Sequence, residues 1–291
     1  MGMKWYELKE QSAGHKRLLF TWLIYKLFDK YGLYFVAYVV AFFTFIFNKN
    51  IRGFSKNYFT AIEKYSGLEP SLYNIFKHIN SYAISLADKI ILFSGNFKTA
   101  NIIFENDNDK DMMFRDINKK HGVFFICSHI GNIEILQSLI NDDFGVNMFL
   151  SKVQSQIFNS FLEKIRIDIP VKIFNVEDIG IETGIKLKEN LDNGDIVFIA
   201  GDRLSQNNNE KTIETNMFEH KISLPKGAFK LAQLMEVPIY FICAIKKQGK
   251  YKIYIQKEEF SENIAQNYTK FLEKITLVAP YQFYHFYDFF D

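Results

Sequence analysis

The spacing of apolar residues changes near position 120 and divides the chain into two regimes. From 55 to 98 apolar residues recur at intervals of three and four, which predicts two helices. "NYFTAIEKYSG" ends at Gly67, a helix C-cap, and Pro70 opens the stretch leading into "SLYNIFKHINSYAISLADKIILFSG", which closes on Gly95. The polar "ENDNDKDMMFRDINKKHG" (105–122) follows, with a short helix from about Asp109. Beyond it lie short apolar or β-rich runs: "GVFFICS" (122–128), "VNMFLSK" (146–152), "VKIFNV" (171–176), "DIVFIAGD" (195–202) and "VPIYFICAI" (237–245). The helical patterns "NIEILQSLI", "SQIFNSFLEKIRI", "DIGIETGIKLKENL" and "PKGAFKLAQLM" separate them. Apolar strands alternating with helices imply an α/β fold, a mostly parallel central sheet with helices on both faces. "KKQGKYKIYIQKE" reads as a turn and an alternating strand near the sheet edge.

Ahead of this pattern, "GLYFVAYVVAFFTFIF" (32–47) carries no charge. Lys26, Asp29 and Lys30 precede it, and Lys49, Arg52 and Lys56 follow. A spanning helix needs roughly 20 apolar residues. The run falls short alone, but "LLFTWLIYKLF" (18–28) lies just upstream. The pair reads as one tilted anchor, a hairpin dipping into one leaflet, or an apolar surface helix, against a buried core helix. Membrane association is the expectation, with residues 1–54 as an apolar membrane-associated helical segment and 55–291 as the α/β domain. Glu7 and Glu10 among the early lysines, without a small-residue cleavage site, do not read as a cleaved signal peptide.

Hydrophobic residues make up 48% of the chain and charged ones 23%, enough for a sizeable core. The 31 phenylalanines imply a Phe-rich core or contact with lipid. A net charge of +2 argues against a nucleic-acid partner. Cys127 and Cys243 sit inside strand-like runs and read as buried free thiols of a reducing compartment. The sequence has no four-ligand zinc spacing, G-x-G-x-x-G, P-loop or G-x-S-x-G elbow, so neither a metal nor another cofactor is expected.

Ionisable groups gather where the strands end. The first run leads to His129, the second to Lys152, the third to Glu177 and Asp178, and the fourth to Asp202 and Arg203. In open α/β sheets ligands bind beyond the carboxyl ends of the strands. Gly131 allows a turn after His129, Asn132 can cap the following helix, and Glu134 falls in its first turn. From there Glu134 can reach back to one imidazole nitrogen, leaving the other as a base for a substrate hydroxyl.

"SHIGNIE" resembles the H-x4-D/E block of the lysophospholipid acyltransferase superfamily, in the form found in bacterial lipid A late acyltransferases. The resemblance runs nearly the whole length. "FKHINSYAISLADKIILFSG" (76–95) is similar to the helix before that block, and "GDR" (201–203) to its second polar block. "ISLPKGAFKLAQLMEVPIYFICAI" (222–245) resembles the proline-glycine helix and the strand after it, and "APYQFYHFYDFFD" the aromatic C-terminus. One departure is "NMFEHKISLPKG", where Glu219 and His220 stand in place of a glycine after the phenylalanine.

The resemblance implies transfer of a fatty acyl group from an acyl-carrier-protein or coenzyme A thioester to a hydroxyl of a lipid or glycolipid acceptor. It implies His129 as general base, Glu134 as its orienting partner and Arg203 as a holder of negative charge. Lys226 and the helix opened by Pro225 would bind a phosphate or phosphopantetheine. Asp202, Lys152 and Asn132 are further substrate-binding candidates. The implied location is the inner bacterial membrane, with the site facing the cytoplasm. A thioester hydrolase and a non-enzymatic lipid-binding protein are the rival readings.

Overall fold

A computed structural model describes residues 15–93, 102–139, 144–152, 155, 171–204, 211–259 and 261–290. Three helices come first: α1 (His15–Phe47), α2 (Lys49–Ser66) and α3 (Leu72–Phe93). α1 bends at Asp29, whose φ of 56° leaves the helical region. The Asn48 side chain accepts the Ile51 N–H at 3.1 Å and so caps α2. Arg52 donates to the Phe45 and Ile46 carbonyls at the end of α1, satisfying two acceptors that the helix leaves open. Gly67 ends α2 with φ +68°, the left-handed cap its sequence position predicts. α2 runs unbroken through residue 54, so the expected division at 54/55 falls inside a helix and not at a boundary. Gly95 and most of "SQIFNSFLEKIRI" lie outside the described residues.

The rest is β1 (Ile102–Phe104), α4 (Asp107–Asn118), β2 (Val123–Gly131), a 3-10 helix (Ile133–Leu139), β3 (Val146–Leu150), β4 (Val171–Asn175), α5 (Ile181–Asp192) and β5 (Ile196–Ala200). β6 (Thr212–Met217), β7 (His220–Pro225), α6 (Lys226–Leu234), β8 (Ile239–Lys247), β9 (Lys250–Glu258) and α7 (Ile264–Val278) complete it. Asn106 caps α4 and starts it two residues ahead of Asp109. β6 and β7 form a separate hairpin. The main sheet has seven strands in the order β1-β9-β8-β2-β5-β3-β4, every pairing parallel except β8 with β9.

The fold is therefore α/β with a mostly parallel sheet. β2 lies at its centre, and its alternate residues serve different clusters, as strand geometry dictates. Phe124 and Ile126 pack with Phe59, Ile62, Phe229, Tyr268 and Leu272. Val123, Phe125 and Cys127 pack with Met113 and Ile117 of α4. Because both sides of β2 are buried, its register is fixed, and so is the position at which it delivers His129.

Candidate functional site

Parallel pairing of β2 with β5 places Cys127 beside Ala200. Two residues further along each chain stand His129 and Asp202. Gly201 makes the approach possible: its N–H donates to the Cys127 carbonyl at 2.9 Å, and a side chain there would meet Ile126 Cγ2 at 2.7 Å. Asp202, 1% exposed, accepts the His129 backbone N–H on Oδ2 at 2.5 Å. Its Oδ1 lies 2.9 Å from His129 Nδ1.

Burial alone would raise the Asp202 carboxyl, but the nearby imidazoles of His129 and His285 and the His129 hydrogen bonds hold it far below the usual carboxylate range. The carboxylate is thus an acceptor, and Nδ1 of His129 must carry the proton. The tautomer leaves a lone pair on Nε2, to which no described residue is hydrogen-bonded, and the side chain is 30% exposed. Burial and then the Arg203 charge lower the His129 pKa, against the pull of Asp202. At neutral pH the ring is uncharged and able to accept a proton.

The orienting carboxylate differs from the sequence expectation. β2 does not turn after His129 but continues to Gly131, with its register against β8 shifting between Cys127 and Gly131. Two further strand residues, Ile130 and Gly131, carry the chain on by up to about 7 Å before the 3-10 helix begins. Glu134 is delivered to α3 instead, where its Oε1 pairs with Lys89, while its buried Oε2 has no hydrogen-bond partner. Asn132 does not cap the helix. Its Nδ2 donates to the Ser85 carbonyl of α3 at 3.1 Å, and its Oδ1 is buried and unpaired. Gly131 has φ +76° and lies so close to the Ala244 carbonyl that a Cβ would collide with it.

The C-terminal segment supplies a residue that sequence reading missed. Tyr284 N–H donates to the His129 carbonyl at 3.1 Å, and Phe283 bridges Ile130 in antiparallel fashion. These contacts set His285 against Asp202, with Nε2 at 3.1 Å from Oδ2 but outside hydrogen-bond alignment. Phe283 and Phe289 enclose the ring, with centroids at 4.3 and 4.6 Å. Burial lowers the His285 pKa to about 4, so it is neutral. Arg203 joins the same wall, donating to the Tyr284 carbonyl at 3.0 Å with its guanidinium 5.9 Å from the Tyr287 ring.

Behind this wall His78 is also buried. The Phe283 carbonyl can only accept, so His78 Nε2 donates to it at 2.5 Å and Nδ1 accepts from Ser55 Oγ at 2.9 Å. Both His78 nitrogens are thus occupied, which makes its role one of joining α2, α3 and the C-terminal segment.

The other candidates stand apart. Lys152 pairs with Asp178 at 2.6 Å beyond β3, which β5 separates from β2. Lys226 is exposed at the start of α6, and no described contact joins it to His129 or Asp202. His220 opens β7 and stacks edge-on against Phe290. Burial pushes the Cys243 thiol up to about 12 and raises Cys127 further, so neither is an activated nucleophile. One donor atom each of His129, Asp202 and His285 lies within 4.8 Å of the others, a possible cation set. The Arg203 charge acting on both imidazoles opposes a divalent ion there.

Chemically, the group is a neutral histidine held by a buried carboxylate beside an arginine, with no activated nucleophile among the described residues around it. Ser128 Oγ is buried against Cys243 Sγ at 3.1 Å. No protein-family model matches the sequence, and no curated protein matches it with significant similarity.

Proposed function

We propose that the protein is a membrane-associated O-acyltransferase in which His129 is the general base. The observation that carries this reading is the ionised, buried Asp202 holding Nδ1–H of His129 and leaving Nε2 free at the end of β2. With no activated serine or cysteine beside it among the described residues, the hydroxyl that Nε2 deprotonates belongs to the substrate. The ordered sequence blocks that resemble lysophospholipid acyltransferases support a lipid or glycolipid acceptor and an acyl-carrier-protein or coenzyme A thioester donor.

In the reaction the acceptor oxygen attacks the thioester carbonyl as Nε2 takes its proton. The C–O bond forms, the C–S bond of the tetrahedral adduct breaks, and the imidazolium returns the proton to the departing thiolate. Asp202 stabilises the imidazolium, and Arg203 brings positive charge toward the developing oxyanion. Helices over both faces of the sheet, attachment to the inner bacterial membrane and a site open to the cytoplasm complete the proposal. The trace of α1, with mean hydropathy 1.6 over Trp22–Phe47, supports the membrane attachment.

The test is to mix purified protein with acyl-carrier-protein and coenzyme A thioesters and extracted bacterial lipids, and follow products by mass spectrometry. A new acyl-lipid formed by the wild type and lost in His129→Ala is expected. Equal product from both proteins removes His129 as base. Free fatty acid released equally with and without acceptor lipid makes the protein a thioesterase instead.

A further inference from the structure

α1 is fastened to the α/β domain along most of its length. Tyr25, Leu33 and Ala37 pack with Ala87 and Ile90 toward the end of α3. Tyr38 and Phe45 meet Phe76 near its start, with ring centroids 5.6 and 5.5 Å apart. The two helices thus run antiparallel in contact. Midway, Tyr34 OH donates to Asp88 of α3 at 2.6 Å, and Lys246 from the end of β8 pairs with the same carboxylate at 2.7 Å. Tyr251 of β9 donates to it as well.

A different stripe of α1 is uncovered. Beyond the bend at Asp29, Tyr31 and Phe35 are 72 and 69% exposed, and Phe42 and Ile46 continue the row at helical spacing, with the half-exposed Tyr38 at its edge beside Phe76. Exposed Lys26 and Lys30 lie toward one end, and Lys49 and Lys56 lie beyond the other.

We infer that α1 lies in the plane of a bilayer, sunk into one leaflet of an anionic membrane without crossing it. This rests on the membrane attachment proposed above and is independent of acyl transfer. A crossing α1 would carry α3 with it, taking Asp88 and Lys246 into hydrocarbon, where charged groups are strongly disfavoured. Its uncharged run from Tyr31 to Asn48 measures about 27 Å, short of a bilayer core of about 30 Å. Lying flat, the aromatic stripe enters the acyl region while the lysines at both ends meet anionic headgroups of the same leaflet. α3 then stands between lipid and site: its Lys89 holds Glu134 and its Ser85 carbonyl holds Asn132. An acceptor with acyl chains reaches His129 by moving within the membrane plane.

The test uses the full chain. Because both native cysteines are buried, Lys26→Cys, Lys49→Cys and the domain marker Lys186→Cys are each treated with a membrane-impermeant maleimide in inside-out membrane vesicles. Equal labelling of all three from the outside is expected. Lys26→Cys protected until detergent is added, while the other two react, would show a crossing helix and overturn the inference. In parallel, purified protein is floated with phosphatidylglycerol/phosphatidylethanolamine vesicles, where Phe35→Asp, an exposed position, is expected to cut partitioning about tenfold or more. Unchanged partitioning of that variant removes the stripe as the contact. A wild type that does not float refutes membrane attachment itself, while leaving the acyl-transfer assay to decide the chemistry.

Discussion

Replacing Asp202 by asparagine tests the centre of the proposed mechanism with almost no change in shape. Asp202 accepts two hydrogen bonds from His129, at 2.5 Å from the backbone N–H and 2.9 Å from Nδ1. Asparagine has one oxygen and one NH2. If the oxygen keeps the backbone N–H, the NH2 faces Nδ1, and two donors cannot share that contact. The ring then takes the other tautomer, with Nδ1 accepting and Nε2 protonated, and the lone pair that would take the substrate proton is lost. One charge-assisted hydrogen bond disappears, worth about 1.5–3 kcal/mol of stability. Loss of a positioned base lowers turnover on the order of 10²–10⁴-fold. Long-range 15N–1H spectra of the imidazoles read the tautomer directly, and the mass-spectrometric assay reads turnover. His129 is expected as the Nδ1–H form in the wild type and the Nε2–H form in Asp202→Asn. Glu134→Gln, which only loosens the contact with Lys89, should keep the wild-type tautomer. If Asp202→Asn preserves both tautomer and turnover while Glu134→Gln abolishes them, the assignment of the orienting carboxylate is wrong.

Three further outcomes are expected. Gly131→Ala must hold φ near +76° and push against the Ala244 carbonyl, so chemical denaturation should show a loss of roughly 2–4 kcal/mol; a neutral result would mean that the end of β2 is not built this way. Asp88→Ala leaves the Lys246 ammonium without its buried partner and should cost about 3–5 kcal/mol, with limited proteolysis near α1 as a second readout; unchanged stability and cleavage would disprove the fastening of α1. His78 and His285 stay neutral in the fold down to about pH 4, against an ordinary value of 6.5. The unfolded chain therefore binds more protons across that window, and stability falls as pH drops from 6.5 toward 4, by on the order of 3 kcal/mol per histidine. Urea midpoints measured through this range should fall, less steeply in His78→Gln, and a flat profile would contradict the buried neutral state of both rings.

Where chemistry depends on near neighbours, the sequence was legible. Gly67 marks the end of α2 because only a left-handed residue closes that helix cheaply. The apolar runs at 122–128 and 237–245 become β2 and β8 because strands buried on both faces need no polar alternation. His129 and Asp202 both emerge at strand ends, and both were visible as candidates. The departure at Glu219 also has a local meaning. Phe218 and Glu219 form the two-residue turn of the β6–β7 hairpin with φ of 52° and 65°, a backbone suited to glycine. Without an Asn-Gly signal there, the hairpin could not be read from the chain.

Linear reading alone yields the α/β class, the apolar first helix and a histidine near the end of a central strand. Periodicity, caps and glycines act over a few residues, and a linear reading contains them in full. Which carboxylate meets the histidine depends on how distant strands pair. Glu134 is five residues away and Asp202 is 73, yet the register of β2 on β5 delivers the distant one. His285 was hidden in a tail that reads as merely aromatic, and its position depends on the bridge from Phe283 to Ile130. The same holds for α1, whose composition alone fits a spanning helix. Its packing on α3 and the Asp88 contact hold it against the domain. Strand order, tail docking and helix packing are set by burial summed over contacts remote in sequence. No short stretch of the chain carries that information.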